Sequence, residues 1–160
     1  MKRNKQLLSF FNEYQGRLFG YLMKMTLNRP DAEDIFQDTF IKYADKYPME
    51  QSPALLYTIA RNIFLDKIRK KVNKTNSYEN APVNKNSPEE CLISKNATQR
   101  ILSLLKKLPE EDRELLSMAG SDGLAYSEIA KVKNMTVANI KVRIYRARLK
   151  LKTMMEAEDE

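Results

Sequence analysis

The chain of 160 residues has no histidine, no tryptophan and one cysteine, Cys91. Each absence removes a class of chemistry. A structural zinc site takes about four Cys or His ligands, so none can be assembled. No disulfide can close within the chain. A catalytic thiolate at Cys91 would need an activating base, and there is no histidine to serve. The lone thiol reads as a small apolar residue of a reducing cytoplasm. Glycine is scarce, with four residues, and none forms a phosphate-cradling loop. No apolar run approaches the roughly 18 residues of a membrane span, and the opening MKRNKQLLSFFNEYQ lacks the apolar centre of a signal peptide. Strand-type alternation is not sustained anywhere. The expectation is a cytoplasmic, non-enzymatic, all-α protein with no cofactor and no membrane insertion.

What remains is helix-forming and basic: 28 Lys and Arg stand against 21 Asp and Glu, a net charge of +7. The stretch Leu124 to Lys152, LAYSEIAKVKNMTVANIKVRIYRARLKLK, organises the chain. Two helical patterns meet across Lys133-Asn134-Met135. The second has Val137, Ile140, Ile144, Ala147 and Leu151 at spacings of three and four, which put them on one face. Thr136 is placed to cap it, and Asn134 suits a left-handed turn residue. Asn139, Lys141, Arg143, Tyr145, Arg146, Arg148, Lys150 and Lys152 fall on the outward side. From Lys131 to Lys152 all eight charged residues are basic. A merely solvated face mixes signs. One-sign charge on the second helix of a helix-turn-helix points to DNA phosphate.

Before it come three longer helical patterns, Gln6 to Thr26, Asp31 through Tyr43 and Ala54 to Val72. They are separated by Asn28-Arg29-Pro30 and by the proline-bearing YPMEQSP, Tyr47 to Pro53. Residues 73–86 are rich in Asn and Lys and nearly free of large aliphatics, which marks a flexible linker. Ser87-Pro88-Glu89-Glu90 is a helix-start signal. The expected domains are 1–72, a linker 73–86, a second unit 87–155 and an acidic tail 156–160, with the two units moving independently. Residues 1–72 carry thirteen basic against eight acidic residues, and 109–160 nine against ten. The last part is therefore dipolar, with acids at its entry and tail.

Three blocks carry a family resemblance: DAEDIFQDTF from Asp31, LYTIARNIFLDKIRK from Leu56, and LPEEDRELL from Leu108 followed by EIAKVKNMTVANIKVRIYRARLKL from Glu128. In this order, with the linker between, the chain resembles a bacterial sigma factor of the extracytoplasmic-function group of the sigma-70 family. The resemblance covers nearly the whole chain. It implies sigma region 2 in the first unit and sigma region 4, with the helix-turn-helix, in the second. It implies RNA polymerase core as a partner, through its β′ clamp helices and β flap, and promoter DNA as the other. Asp34, Gln37 and Asp38 match the surface that docks on the clamp helices. Tyr57, Arg61, Asn62, Lys67, Arg69 and Lys70 match the reader of the −10 element and its opened strand, with Asn62 nearest the flipped base. On the helix-turn-helix, Thr136 and Asn139 open the −35 face. Lys141, Val142, Tyr145 and Arg146 match positions facing bases there, and Arg143 and Arg148 suit phosphates or helix packing. An anti-sigma factor or another recruiting protein is the further expected partner.

The sequence departs from the family in places. Leu55 stands where a Trp is usual, the Tyr47 to Pro53 loop is short, and Ala125 replaces a capping Ser. The weakened loop implies a weak reading of −10. The competing expectation is a free-standing helix-turn-helix regulator, which would not need the Asp31 to Phe40 block.

Overall fold

The computed structural model describes residues 2–75, 92–120 and 123–158. Among these residues there are seven helices and no strand. They are α1 (Lys2–Thr26), α2 (Arg29–Lys46), α3 (Pro53–Thr75), α4 (Leu92–Lys107), α5 (Glu110–Met118), α6 (Tyr126–Lys133) and α7 (Val137–Glu158). The all-α expectation holds for this part of the chain.

Local chemistry sets most of the boundaries. Leu27 closes α1 in the left-handed region at φ 55°. Asn28 then caps α2, its side-chain oxygen accepting from the Asp31 amide at 3.1 Å. Helix α2 thus begins at Arg29, slightly earlier than the acids alone suggest, with Pro30 in its first turn, where a missing N–H costs nothing. The Tyr43 hydroxyl ties down the following loop: it donates to the Glu50 carbonyl at 2.6 Å and accepts from the Ser52 amide at 3.0 Å. Burial raises the pKa of this hydroxyl, and the hydrogen bond from Ser52 opposes the rise. Gly123 is required by a close approach, because a side chain there would collide with the Met118 carbonyl. That carbonyl accepts from the Leu124 amide at 2.8 Å.

Helices α1, α2 and α3 pack on one another, and α7 packs on α4, α5 and α6. The two sets do not stand apart. Helix α5 lies on α1 and α6 lies on α3. One continuous core includes Leu18, Tyr21, Leu22, Leu56 and Tyr57 together with Leu115, Met118, Leu124, Ile129 and Ile144. Independent motion of the two halves is therefore not what the structure displays. The apolar faces of α5 and α6 find their cover on α1 and α3, and burial is indifferent to which part of the chain supplies the partner.

Residues 73–75, expected as linker, continue α3, whereas 76–86 and the Ser87-Pro88 helix start lie outside the described residues. The expected acidic tail is helical as far as Glu158. Two cations of α4 hold it there: Glu158 pairs with Arg100 at 3.4 Å and with Lys107 at 3.5 Å. Within the described residues no helix is long and apolar enough to cross a membrane.

Candidate nucleic-acid interface

The helix-turn-helix is built by α6 and α7. Asn134 ends α6 at φ 55°, ψ 49°, the left-handed conformation its side chain tolerates. The Thr136 hydroxyl accepts from the Asn139 amide at 3.2 Å and so caps α7. Ile140, Ile144 and Ala147 are buried beneath α7. Val137, expected in the same stripe, is 39% exposed, because it sits on the first turn before the helix settles on the core. Lys141, Val142, Tyr145 and Arg146 are all exposed on one side, with Tyr145 at 64%. Arg148 is exposed as well. Arg143 is turned to packing: it pairs with Glu111 of α5 at 2.5 Å and donates to the Asn139 side chain at 3.3 Å. Lys150 does likewise with Asp112 at 2.8 Å. The acidic first turn of α5 thus neutralises part of the basic helix and leaves the side of Lys141, Val142, Tyr145 and Arg146 uncovered.

On α3, Asn62, Arg69 and Lys70 are exposed, and Asp66 shares their side of the helix. Lys67 leans on Asp34 of α2 at 3.5 Å. Two residues expected at the single strand are not presented. Tyr57 is 1% exposed, with its ring 5.2 Å from that of Tyr21. It shares a face with Leu56, Ala60 and Phe64, so the core claims it, and burial raises its pKa far above the ordinary tyrosine range. Arg61 is ion-paired with Glu114 of α5. Glu114 is 6% exposed and also holds Lys133 of α6, at 2.9 Å. Burial, and next the Glu114 charge, push the Tyr21 hydroxyl pKa well up. Glu114 went unnoticed in the sequence, although its position one turn before Met118 places it on the buried side of α5.

Ala125 makes no side-chain cap for α6. Glu128, in the first turn of α6, instead accepts from the Ala54 amide at 3.1 Å, at the start of α3. A carboxylate from one half therefore caps a helix of the other.

On α2, Asp34, Gln37 and Asp38 are exposed on one side, as steps of three and four require. The structure adds Ile41 to this face, 67% exposed. Reading by periodicity missed it, because Ile41 merely breaks the polar pattern.

Two family models match the chain. Residues 10–73 match the model of "Sigma-70 region 2" and residues 98–151 that of "Sigma-70, region 4". The RNA polymerase sigma factor YlaC of Bacillus subtilis is 25% identical, over 100% of this chain and 98% of that protein. The ECF RNA polymerase sigma factor SigW of the same organism is 28% identical, over 89% and 84%. In fold, the chain is similar to the sigma factor RpoE of Bartonella quintana, solved with the anti-sigma factor NepR. That match has a TM-score of 0.69 and 24% identity, over 96% of each chain. It is similar also to CnrH, solved with the cytosolic domain of CnrY, with a TM-score of 0.71 and 23% identity, over 96% of this chain and 90% of that one. Both halves match in the order and at the places where the helices form, and the chain belongs to the sigma-70 family, in its extracytoplasmic-function group: it is a transcription initiation factor that binds RNA polymerase core and directs it to promoter DNA.

Proposed function

We propose the following division of labour. The α2 face of Asp34, Gln37, Asp38 and Ile41 docks on the β′ clamp helices, and the second unit docks on the β flap. Helix α7 reads the −35 element through Lys141, Val142, Tyr145 and Arg146. Helix α3 meets the opened −10 strand through Asn62, with Arg69 and Lys70 on its backbone. The protein works in the cytoplasm and catalyses no reaction itself.

The observation that carries this assignment is the uncovered side of α7. Four side chains able to meet bases stand together there, while neighbouring cations are neutralised by α5. Val142 is confined to apolar contact with a thymine methyl or a sugar, and Arg146 is the candidate for bidentate contact with guanine. Arg146→Ala should cost ~1–3 kcal/mol at one base position and little elsewhere. Competition binding on a panel of single-base −35 variants reads this out. An equal loss on every sequence would reassign Arg146 to phosphate.

Recognition of −10 is weak in this proposal. The loop before α3 is short and braced by Tyr43, Leu55 packs against the core where the family has Trp, and Tyr57 is buried. Stacking a base on an aromatic is worth ~1–3 kcal/mol, and here no aromatic of α3 offers it. Promoter choice then rests on −35 contacts and on a protein partner, either an anti-sigma factor like the one bound to the similar RpoE or a DNA-bound recruiter. The test of the docking face is a pull-down with core polymerase. Changing Asp34, Gln37 and Asp38 together to Ala should weaken core binding at least about tenfold, the effect of losing roughly 1.4 kcal/mol, with the helical spectrum unchanged. Undiminished binding by the triple variant would remove α2 from the interface.

A further inference from the structure

Glu114 stands out among the buried groups because it serves two cations from different parts of the chain. Its carboxylate pairs with Arg61 of α3 through one oxygen and with Lys133 of α6, at 2.9 Å, through the other. The side chains of Glu114 and Lys133 are each 8% exposed, and that of Arg61 30%. The partners differ in kind. Lys133 belongs to the same half as Glu114, and Arg61 to the other. If the halves part, Glu114 keeps Lys133, and no bare carboxylate is left behind. Arg61 alone is released, to solvent or to another anion. A buried ion pair is costly to break when it strands a charge, and this arrangement avoids that.

A second contact between halves lies near it, from Glu128 to the Ala54 amide at 3.1 Å. Both contacts clamp α3, the helix assigned to the opened strand. The closed interface is also imperfectly satisfied: the Tyr21 hydroxyl and Arg113 Nε are buried without a hydrogen-bond partner. Opening would return both to water, so the closed form is held by specific contacts that compete with solvation.

We infer that Glu114 is the latch of a closed form, holding Arg61 of α3 in an ion pair with α5 while α3 is packed on α6, until the halves separate. The opened DNA strand, whose phosphates compete for the same guanidinium, then takes the place of the carboxylate. This rests on the assignment of α3 to the single strand, and two separate readouts distinguish failure of the latch from failure of that assignment.

The experiment uses the full chain with Cys91→Ser and spin labels at Lys42 on α2 and Lys152 on α7, both exposed positions. Electron–electron distance measurement gives the closed and open populations. Glu114→Gln should shift the main population to longer, broader distances. Glu110→Gln makes the same charge change at an exposed position of the same helix and should not. Arg61→Gln removes the latch from the other side and should open the molecule too, which keeps the test valid if Glu114→Gln disturbs α5. Unchanged distances in both Glu114→Gln and Arg61→Gln would overturn the latch. The second readout is binding of a mixed-sequence 12-nucleotide single-stranded DNA by the free protein. If about a tenth of the wild type is open, Glu114→Gln should bind about tenfold more tightly, since apparent affinity scales with the competent fraction. Longer distances with unchanged DNA affinity would leave the latch standing and remove Arg61 from strand binding.

Discussion

Leu115→Ala is expected to destabilise the whole molecule by about 3–5 kcal/mol, the cost of deleting a buried leucine at a site that cannot collapse. Leu115 is fully buried in α5, within the core common to both halves. For a chain of this size the shift in melting temperature should be roughly 10 °C. The place where the loss is felt matters as much as its size. Because the core is continuous, hydrogen exchange should quicken in α1 as well as in α5 and α7. Ile41→Ala is the contrasting variant. That side chain is 67% exposed, so the melting temperature should hardly move, while binding to core polymerase should fall. Faster exchange confined to α4 through α7 in Leu115→Ala would mean that α1 draws no protection from its packing on α5.

The second large effect is on DNA binding. Lys141, Arg146 and Arg148 are exposed, whereas Arg143 and Lys150 are held by Glu111 and Asp112. Three cations brought against the duplex, Lys141 and Arg146 at base edges and Arg148 at phosphate, displace about three counterions and imply a slope of about −2.7 in the logarithm of affinity against the logarithm of salt. Between 50 and 200 mM salt, affinity for a −35 duplex should then fall roughly 40-fold. Engaging all five cations would make the fall roughly 500-fold. Glu111→Gln should release Arg143 and steepen the slope by about one. Titrations by fluorescence anisotropy at several salt concentrations decide between these values. A slope near zero would remove α7 from the phosphate backbone.

The helix-turn-helix was legible from the residues because its determinants are local. Asn134 takes the left-handed turn and Thr136 the cap that their chemistry suggests, and Ile140, Ile144 and Ala147 are buried as their spacing requires. The packing of one half on the other was not legible. Periodicity shows that α5 and α6 have apolar faces but not what covers them. The same gap misplaced Tyr57. Resemblance assigned it to DNA, while its position beside Leu56 and three residues before Ala60 places it in the core. Glu114 illustrates the limit most clearly. A glutamate among other acids at the start of a helix reads as favourable for the dipole, and only the fold reveals two cations from distant segments meeting it. The docking of the tail was not legible for a related reason. Glu158 is held by Arg100 and Lys107, some fifty residues away in sequence.

Initiation from a premelted template is the most direct test that this chain turns core polymerase into a promoter-selective enzyme. The template would carry candidate −35 sequences upstream of an artificial bubble, so weak −10 melting cannot mask activity. Purified core polymerase with this protein should give transcripts that depend on the protein and on the −35 sequence. The triple α2 variant and Arg146→Ala should each reduce them, the first on all templates and the second selectively. No protein-dependent transcript, with the same DNA bound tightly in the absence of core polymerase, would contradict this and make the chain a free-standing DNA-binding regulator.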